Sequence, residues 1–370
     1  MLISFTGGGV QLIYTSKIAN SLIERNEVTA IIPYFGDENL FNSDIKLIKI
    51  DASKKIIRSI LLSFNVKNFL NLRKSILKAQ PDVIHLLSTH PWNIFICLFF
   101  HQYPKIFTLH DPIYHETSSL LKKFIELFFS ISDIIVRTKS QRLIVHGKTL
   151  KMVCLHQGVD EDRIDIIPLG LLMKNTNMGQ FISQKDHKNK FTILFFGRIE
   201  KYKGIEYFIQ AANIILKTNK DVIFLIVGSG DFSKYKNLIQ NTNNIKVVNR
   251  YIPDGEIGYY FETADVIVLP YISGSQSGVI PVAYSFKKPV IVTNVGSIPE
   301  MVDDNKTGLI IPPCDVNLLV GAITKLLNDD DLRMKMGENA HNKLINEMSW
   351  ENIAKKHIDS YLKAINNGIN

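Results

Sequence analysis

Two cations open the chemical reading of the chain. Arg198 and Lys203 lie in Gly197-Arg-Ile-Glu-Lys-Tyr-Lys-Gly204, directly after the apolar run 191–196. A planar guanidinium can hold two phosphate oxygens, and an ammonium adds a mobile point charge. Between a strand end and a helix start, such a pair suits a diphosphate. The plain alternative is a solvated surface pair. A second candidate is the small-residue loop Gly274-Ser-Gln-Ser-Gly278, between a strand over 266–269 and a helix over 279–286. Such a loop leaves backbone N–H groups free for an anion, although serine caps on an ordinary βαβ turn explain the same letters. The third is His110, at the carboxyl end of a strand over 105–109, where open parallel sheets place ligands. A loop-capping role fits His110 equally well and is preferred for His85 and His90.

Other patterns are weaker. Gly7-Gly8-Gly9 follows the first strand without the GxGxxG spacing and marks a close backbone approach to a ligand or to the helix itself. Gly228-Ser-Gly230 is half a dinucleotide fingerprint, with Ser233 where the third glycine would stand. Asp160-Glu-Asp162 matches a metal-binding DxD by letter but sits in a polar turn, so a cap explains it better. Asp329-Asp-Asp331 reads as a helix start. Neither a Walker A motif nor HExxH occurs. Cys97, Cys154 and Cys314 are too few and too scattered for a disulfide framework or a zinc site, which fits a reducing compartment.

Composition sets the frame. The 370 residues predict two domains, and a hydrophobic share of 46% is ample for buried cores. The net charge of +8 suits an anionic ligand, a nucleic acid or an anionic membrane surface. No basic run is interleaved with stacking aromatics, which disfavours nucleic acid. Residues 1–5 lack the basic start of a signal peptide, so a cytoplasmic location, with contact at the inner face of the cell membrane, is expected. Apolar runs such as 94–100 are too short to span a bilayer.

The elements that must position these residues alternate. In the first half, strands are expected at 1–5, 28–33, 45–50, from 81, at 105–109, 133–137 and 164–168. Helices are expected at 12–24 and 56–78. The stretch 118–130 reads as a core-facing helix, with docking on an anionic membrane as the alternative. In the second half, strands are expected at 191–196, 222–227, 245–248, 266–269, 290–293 and 308–311. Helices fall between and after them, including one near 233–240 and a last one at 350–365. The inferred architecture is α/β, two Rossmann-like doubly wound domains facing across a cleft. Residues 1–170 form the first, 171–190 a polar linker and 191–346 the second. The segment 347–370 is expected to pack back on the first.

Set in order, Gly197-Arg198, Lys203-Gly204, the block SGVIPVAYSFKKPVI and GSIPE make the chain resemble the GT-B glycosyltransferases of family four, a retaining group. The resemblance spans nearly the whole chain and is strongest over 193–312. It implies a nucleotide-diphosphate sugar donor lying between the domains. Arg198 and Lys203 match the residues that neutralise its diphosphate. The segment Gln276, Ser277, Gly278 and Val279 matches the loop that meets the distal phosphate. Tyr251 and Ile252 match the segment beside the base, His110 matches the histidine that contacts the transferred sugar, and Gly8 and Gly9 match a loop near the phosphates. Gly197 and Glu300 complete the expected donor site. No cofactor and no metal are implied, since protein cations and a helix end neutralise the leaving group. The expected partners are the donor, a glycan or lipid-linked acceptor and an anionic membrane surface.

The chain departs from the family at one motif. Counting back without gaps from Pro289, the places of the usual Glu-x7-Glu are held by Gly274 and Val282. Ser275, Gln276 and Ser277 are expected to give neutral hydrogen bonds to the sugar instead. The loss prompts a second reading, a non-catalytic sugar-nucleotide-binding partner subunit. A nicotinamide oxidoreductase is a third, disfavoured by the broken glycine spacings.

Overall fold

The structure is a computed structural model that describes residues 1–6, 9–52, 65–110, 120–173 and 190–367, with side chains undescribed at 120–129 and 367. The chain divides into two compact units. One is Met1–Pro168 with Trp350–Asn370, and the other is Leu169–Ser349.

The first unit is built on β1 (Leu2–Ile3), β2 (Thr29–Pro33), β3 (Lys46–Ile50), β4 (Ile84–Leu86), β5 (Lys105–Thr108), β6 (Arg142–Val145) and β7 (Ile164–Ile166). They form one parallel sheet in the order β3-β2-β1-β4-β5-β6-β7. The inner strands β1, β4, β5 and β6 are buried on both faces, whereas the edge strands β3 (KLIKI) and β7 (IDI) carry charge and are partly exposed. Helices Val66–Ala79, Trp92–Phe99 and Lys148–His156 feed one core with Leu72, Ile76, Ile96 and Cys154. Helix Trp350–Asn367 adds Ile353 and Ala364 to a second cluster with Val83, Ile106, Ile144 and Ile167. Its hold on the sheet is also polar. Arg142 grips Asp165 through Nη2–Oδ1 at 2.7 Å, and Ser360 Oγ donates to Asp165 Oδ2 at 2.7 Å. Burial pushes the Asp165 carboxyl up, but the bonds from Arg142 and Ser360 outweigh it and hold the group below its usual range.

The second unit carries β8 (Phe191–Phe196), β9 (Val222–Val227), β10 (Ile245–Val248), β11 (Val266–Leu269), β12 (Val290–Thr293) and β13 (Gly308–Ile311). This sheet is also wholly parallel, in the order β10-β9-β8-β11-β12-β13. The order reverses at β8, so the loops after β8 and β11 leave the sheet on the two sides of a switch point, where such folds bind ligands. Two Rossmann-like α/β domains are therefore present.

Four expectations are corrected. Residues 133–137 lie inside helix Leu120–Lys139, and the strand is Arg142–Val145. Ser132, Asp133, Val136, Arg137 and Ser140 are buried while Ile134 and Thr138 are exposed, a helical period that overrides the branched residues' preference for strands. A continuous helix over 56–78 fails because Asn65 is an N-cap, accepting from Asn68 N at 3.3 Å, and the helix starts at Val66. Residues 56–64 of that expected helix lie outside the described ones, as do Gly8, residues 118 and 119, and residues 174–189 of the expected linker, while 120–130 belong to helix Leu120–Lys139. Residues 233–238 form a 3-10 turn rather than an α-helix. His85 is buried within β4, bonded to Thr108 and Tyr361, and caps no loop. His90 does cap one, its Nδ1 accepting from Trp92 N at 3.2 Å.

Candidate functional site

The loops after β8, β11 and β12 are tied together, and glycines make the closeness available. Gly204 has φ +67, and a Cβ there would lie 1.8 Å from Pro270 O. Gly296 has φ +53, and its Cβ would lie 2.0 Å from Gly274 O. Ile272 N donates to Tyr202 O at 2.7 Å and Ser297 N to Ser275 O at 2.9 Å. The three loops thus form one backbone-locked rim.

Lys203 ends the 3-10 turn Lys201–Lys203, half-buried. Its Nζ donates to Tyr271 Oη at 2.6 Å and lies 3.8 Å from the centre of the Tyr271 ring. Burial pulls the ammonium's pKa down, and burial pushes the phenol up to about 12. The phenol is therefore neutral at physiological pH. It accepts from Lys203, and its oxygen lies 3.1 Å from Ser277 Oγ, a contact in which either hydroxyl can donate. Ser277 Oγ also faces Val279 N at 3.4 Å.

Arg198 follows Gly197, whose φ of +139 ends β8. Its side chain is 70% exposed and paired with Glu200 at 2.9 Å. An exposed pair of this kind contributes about 0–1 kcal/mol, so a phosphate can displace the carboxylate cheaply. Gly278 is the N-cap of helix Val279–Ser285, with no atom within 4 Å of an added Cβ. That helix has only 7 residues, so its dipole is short and the loop amides matter more. Gln276 sits half-buried on the same loop, and Glu300 is exposed in the turn Pro299–Met301 after β12.

Other sequence candidates lie apart from this cluster. Tyr251 is 73% exposed just past the edge strand β10, whereas Ile252 is 7% exposed and packs in the core, leaving only its backbone to meet a ligand. Gly228 and Gly230 are spent on packing: Cβ atoms there would lie 1.8 Å from Gly197 O and 2.4 Å from Ile199 O. That is why a GxG stands here without a third glycine. Asp160 stands at the N-cap position of the turn Glu161–Arg163 without a side-chain cap bond, and Asp160 and Glu161 pair with Arg163 and Lys151. Among the described residues no group of three or more His, Cys, Asp or Glu could hold a metal.

In the first unit, Gly9 starts helix Gly9–Leu22 with φ +64. His110, just beyond β5, joins a chain that sequence reasoning missed. Its Nδ1 is 3.0 Å from His146 Nε2, and its Nε2 is 2.9 Å from Gln11 Nε2. Burial, then the neighbouring His146, pulls the His110 pKa down to about 3. Tyr14 stands edge-on to both imidazoles. In the sequence a lone histidine after Val145 is the only signal of His146, because the branched run at 133–137 imitates the strand that Arg142–Val145 forms.

Comparison with known proteins follows the two units. Residues 179–343 match the model described as Glycosyl transferases group 1, and residues 7–171 match Glycosyltransferase Family 4. The D-inositol 3-phosphate glycosyltransferase of Paenarthrobacter aurescens (strain TC1) is 30% identical over 221 residues, 57% of this chain and 54% of that protein. The chain thus spans about half the length of that relative. The UDP-Gal:alpha-D-GlcNAc-diphosphoundecaprenol alpha-1,3-galactosyltransferase of Escherichia coli is 26% identical over 84% of this chain and 83% of that protein. Among solved structures, the sucrose-phosphate synthase of Thermosynechococcus elongatus superposes with a TM-score of 0.73 at 21% identity, covering 99% of this chain and 98% of that one. That likeness establishes the GT-B type of fold. With one model on each Rossmann-like half, the chain belongs to the family four, or group 1, glycosyltransferases.

Proposed function

We propose that the protein moves a sugar from a nucleotide-diphosphate sugar, UDP- or GDP-linked, to a glycan or lipid-linked acceptor. The transfer retains anomeric configuration and serves cell-surface polysaccharide or glycoconjugate synthesis. One observation carries this reading: the Lys203–Tyr271–Ser277 chain fixes an ammonium and a hydroxyl on loops flanking the sheet's switch point. With Arg198 they offer a diphosphate two positive charges and a neutral hydroxyl. As the glycosidic bond breaks, negative charge grows on the leaving phosphate. Groups already in place stabilise it without reorganisation. A phosphate oxygen then takes the acceptor's proton as the acceptor attacks the face the phosphate leaves. The named relatives act on an inositol phosphate and on a lipid diphosphate sugar, which supports a phosphorylated or lipid-linked acceptor.

A membrane-borne acceptor has further support on the first unit. Val66, Leu70 and Leu77 are exposed on one face of helix Val66–Ala79 together with Arg73 and Lys74, while Leu72 and Ile76 are buried on the other. Leu98 and Phe99 are exposed on helix Trp92–Phe99, and Phe99 meets Phe69 at 5.7 Å between ring centres. Apolar groups ringed by cations suit an anionic bilayer surface. Among the described residues no helix is long and apolar enough to cross a membrane.

Thermal-shift screening with a panel of sugar nucleotides tests the function, followed by transfer assays with whichever stabilises and by NMR of the product anomer. Inverted product would end the retention reading. A second reading is a sugar-nucleotide-binding partner subunit. Val282, standing by ungapped count where the family has a carboxylate, is 7% exposed in the core. Tight binding without turnover selects this reading.

A further inference from the structure

Helices Leu120–Lys139 and Lys148–His156 both end at the edge of the first sheet opposite His110, where β6 and β7 begin. A cavity of about 530 Å³ opens beside their last turns, lined by Ile134, Arg137, Thr138, Gln157, Val159 and Arg163. Arg137 is only 9% exposed, a costly place for a charge without a counter-ion. Both of its acceptors are neutral: Nε donates to the Asp133 carbonyl at 3.2 Å, and Nη1 donates to Gln157 Oε1. A guanidinium has five hydrogens. Among the described residues, those of Nη2 and the second on Nη1 meet no acceptor, and the Gln157 amide hydrogens meet none either. Helix carboxyl ends ordinarily repel an anion. Here their carbonyls are taken. Arg163 Nη2 donates to Arg137 O at 2.7 Å and to Ser140 O, and Gly158 N and Val159 N close on Leu155 O and Cys154 O. No acidic side chain lines the cavity; Asp160 pairs with Arg163 from outside at 3.8 Å.

We propose that this cavity is a second anion site, in which the unused hydrogens of Arg137 and the Gln157 amide hold the phosphate of an ester with an apolar body. The planar guanidinium suits two oxygens of one phosphate. The volume exceeds what a bare phosphate needs, and the opposite wall is apolar: Ile134 and Val159 line it, and Ile131 is exposed one turn before Ile134. Helix Leu120–Lys139 packs beside helix Trp92–Phe99, which carries the exposed Leu98 and Phe99. A phospholipid headgroup and a soluble phosphate ester share this chemistry. Either would bind at the amino ends of the strands, away from His110 at their carboxyl ends. The site is therefore one for anchoring or regulation, and it stands independently of the proposed transfer reaction.

Calorimetric titration of the full chain tests the site with three probes: sn-glycerol 3-phosphate, dihexanoyl phosphatidic acid and, as a control without net charge, dihexanoyl phosphatidylcholine. The two phosphate monoesters should bind and the control should not. Gln157→Glu decides whether they bind here. Gln157 is exposed, so the fold should be kept, and the new carboxylate would supply Arg137 with a counter-ion and close the site to anions. Affinity for both monoesters should fall about tenfold or more, the size of one lost hydrogen bond to a charged group. Arg137→Gln should weaken them as much, but it also removes a contact between two helices, so Gln157→Glu keeps the test decisive if that variant unfolds. Phosphate binding at the loops of the second unit would be unaffected by Gln157→Glu and is separated in this way. A lipid held about tenfold or more tighter than glycerol phosphate supports the site with a membrane source, and equal affinities support it with a soluble ester. Equal monoester binding by the wild type and Gln157→Glu overturns the proposal, as does wild-type binding no stronger than that of the control.

Discussion

Lys203 Nζ lies 2.6 Å from the hydroxyl oxygen of Tyr271, a side chain with no exposed surface. The contact couples the loop after β8 to the one after β11, where Ser277 Oγ lies 3.1 Å from the same phenol oxygen. Tyr271→Phe keeps the ring under the ammonium but deletes the acceptor. A hydrogen bond to a charged group is worth about 1.5–3 kcal/mol. The expected result is weaker binding of the diphosphate donor by about tenfold or more, measured calorimetrically, with the fold retained. Unchanged affinity would mean that Tyr271 only fills space.

Arg198 separates function from stability. Its pairing with Glu200 is exposed and adds little to the fold. Arg198→Ala should shift stability by no more than about 0.5 kcal/mol while lowering turnover by about 10²–10³. Glu200→Gln should leave donor affinity unchanged or raise it, because the competing carboxylate is gone. Equal kcat/KM for Arg198→Ala and the wild type would remove Arg198 from the site.

Two glycines in the same rim predict opposite behaviour. Gly204→Ala puts a Cβ 1.8 Å from Pro270 O at φ +67. The backbone conformation alone costs about 1–2 kcal/mol, and the clash adds to it. A lowered melting temperature should accompany weaker donor binding, since Lys203 is the preceding residue. Gly278→Ala meets nothing within 4 Å at φ −68, so folding should be normal. If phosphate approaches this backbone closely, the added methyl raises the donor KM. A KM unchanged in Gly278→Ala would place the phosphate elsewhere.

The sequence reveals this rim more readily than the histidine chain, for physical reasons. Runs such as Val222–Val227 and Val266–Leu269 are apolar and bounded by Gly, Pro or charge, so a buried parallel strand is their simplest reading. Arg198 and Lys203 are visible because cations between a strand and a helix start are distinctive. Tyr271 is not, because an aromatic one residue past Pro270 looks like core. Its partnership with Lys203 spans 68 residues and exists only once β8 and β11 pair. Residues 133–137 mislead because branched side chains imitate a strand, and that error hides β6 and, with it, His146. The chain Gln11–His110–His146 joins three elements through single atoms, and no spacing records it.

The apolar and basic face of the first unit predicts vesicle binding. Leu70→Glu with Phe99→Ser should reduce binding to vesicles containing anionic lipid, followed by co-sedimentation, without loss of fold, because both side chains are exposed. Added salt should weaken the wild type's binding, since Arg73 and Lys74 act through screened charge. Equal sedimentation of wild type and variant would assign the face to another partner.

His357 gives the last prediction, and its sign follows from linkage. The ring is fully buried in helix Trp350–Asn367, and neither nitrogen has a hydrogen-bond partner. Burial pulls its pKa down to about 3, followed by the nearby His146, while Asp165 opposes the shift. The unfolded chain, with a value of about 6.5, takes up a proton below that pH which the folded state refuses. Stability contributed by the neutral ring is therefore intact above pH 6.5 and declines as the pH falls from there toward 3. The slope is about 1.4 kcal/mol per pH unit for each such histidine. His90, His110 and His146 are depressed by burial in the same way. The first unit should thus lose stability steeply in mild acid. His357→Phe keeps a ring beside His85 and Tyr361 and discards two buried, unsatisfied nitrogens. Urea midpoints should rise by the equivalent of about 1 kcal/mol at pH 7.5 and by more at pH 5.5. A variant destabilised equally at both values would show that the ring is held by contacts with its neighbours and that its proton affinity does not limit the fold.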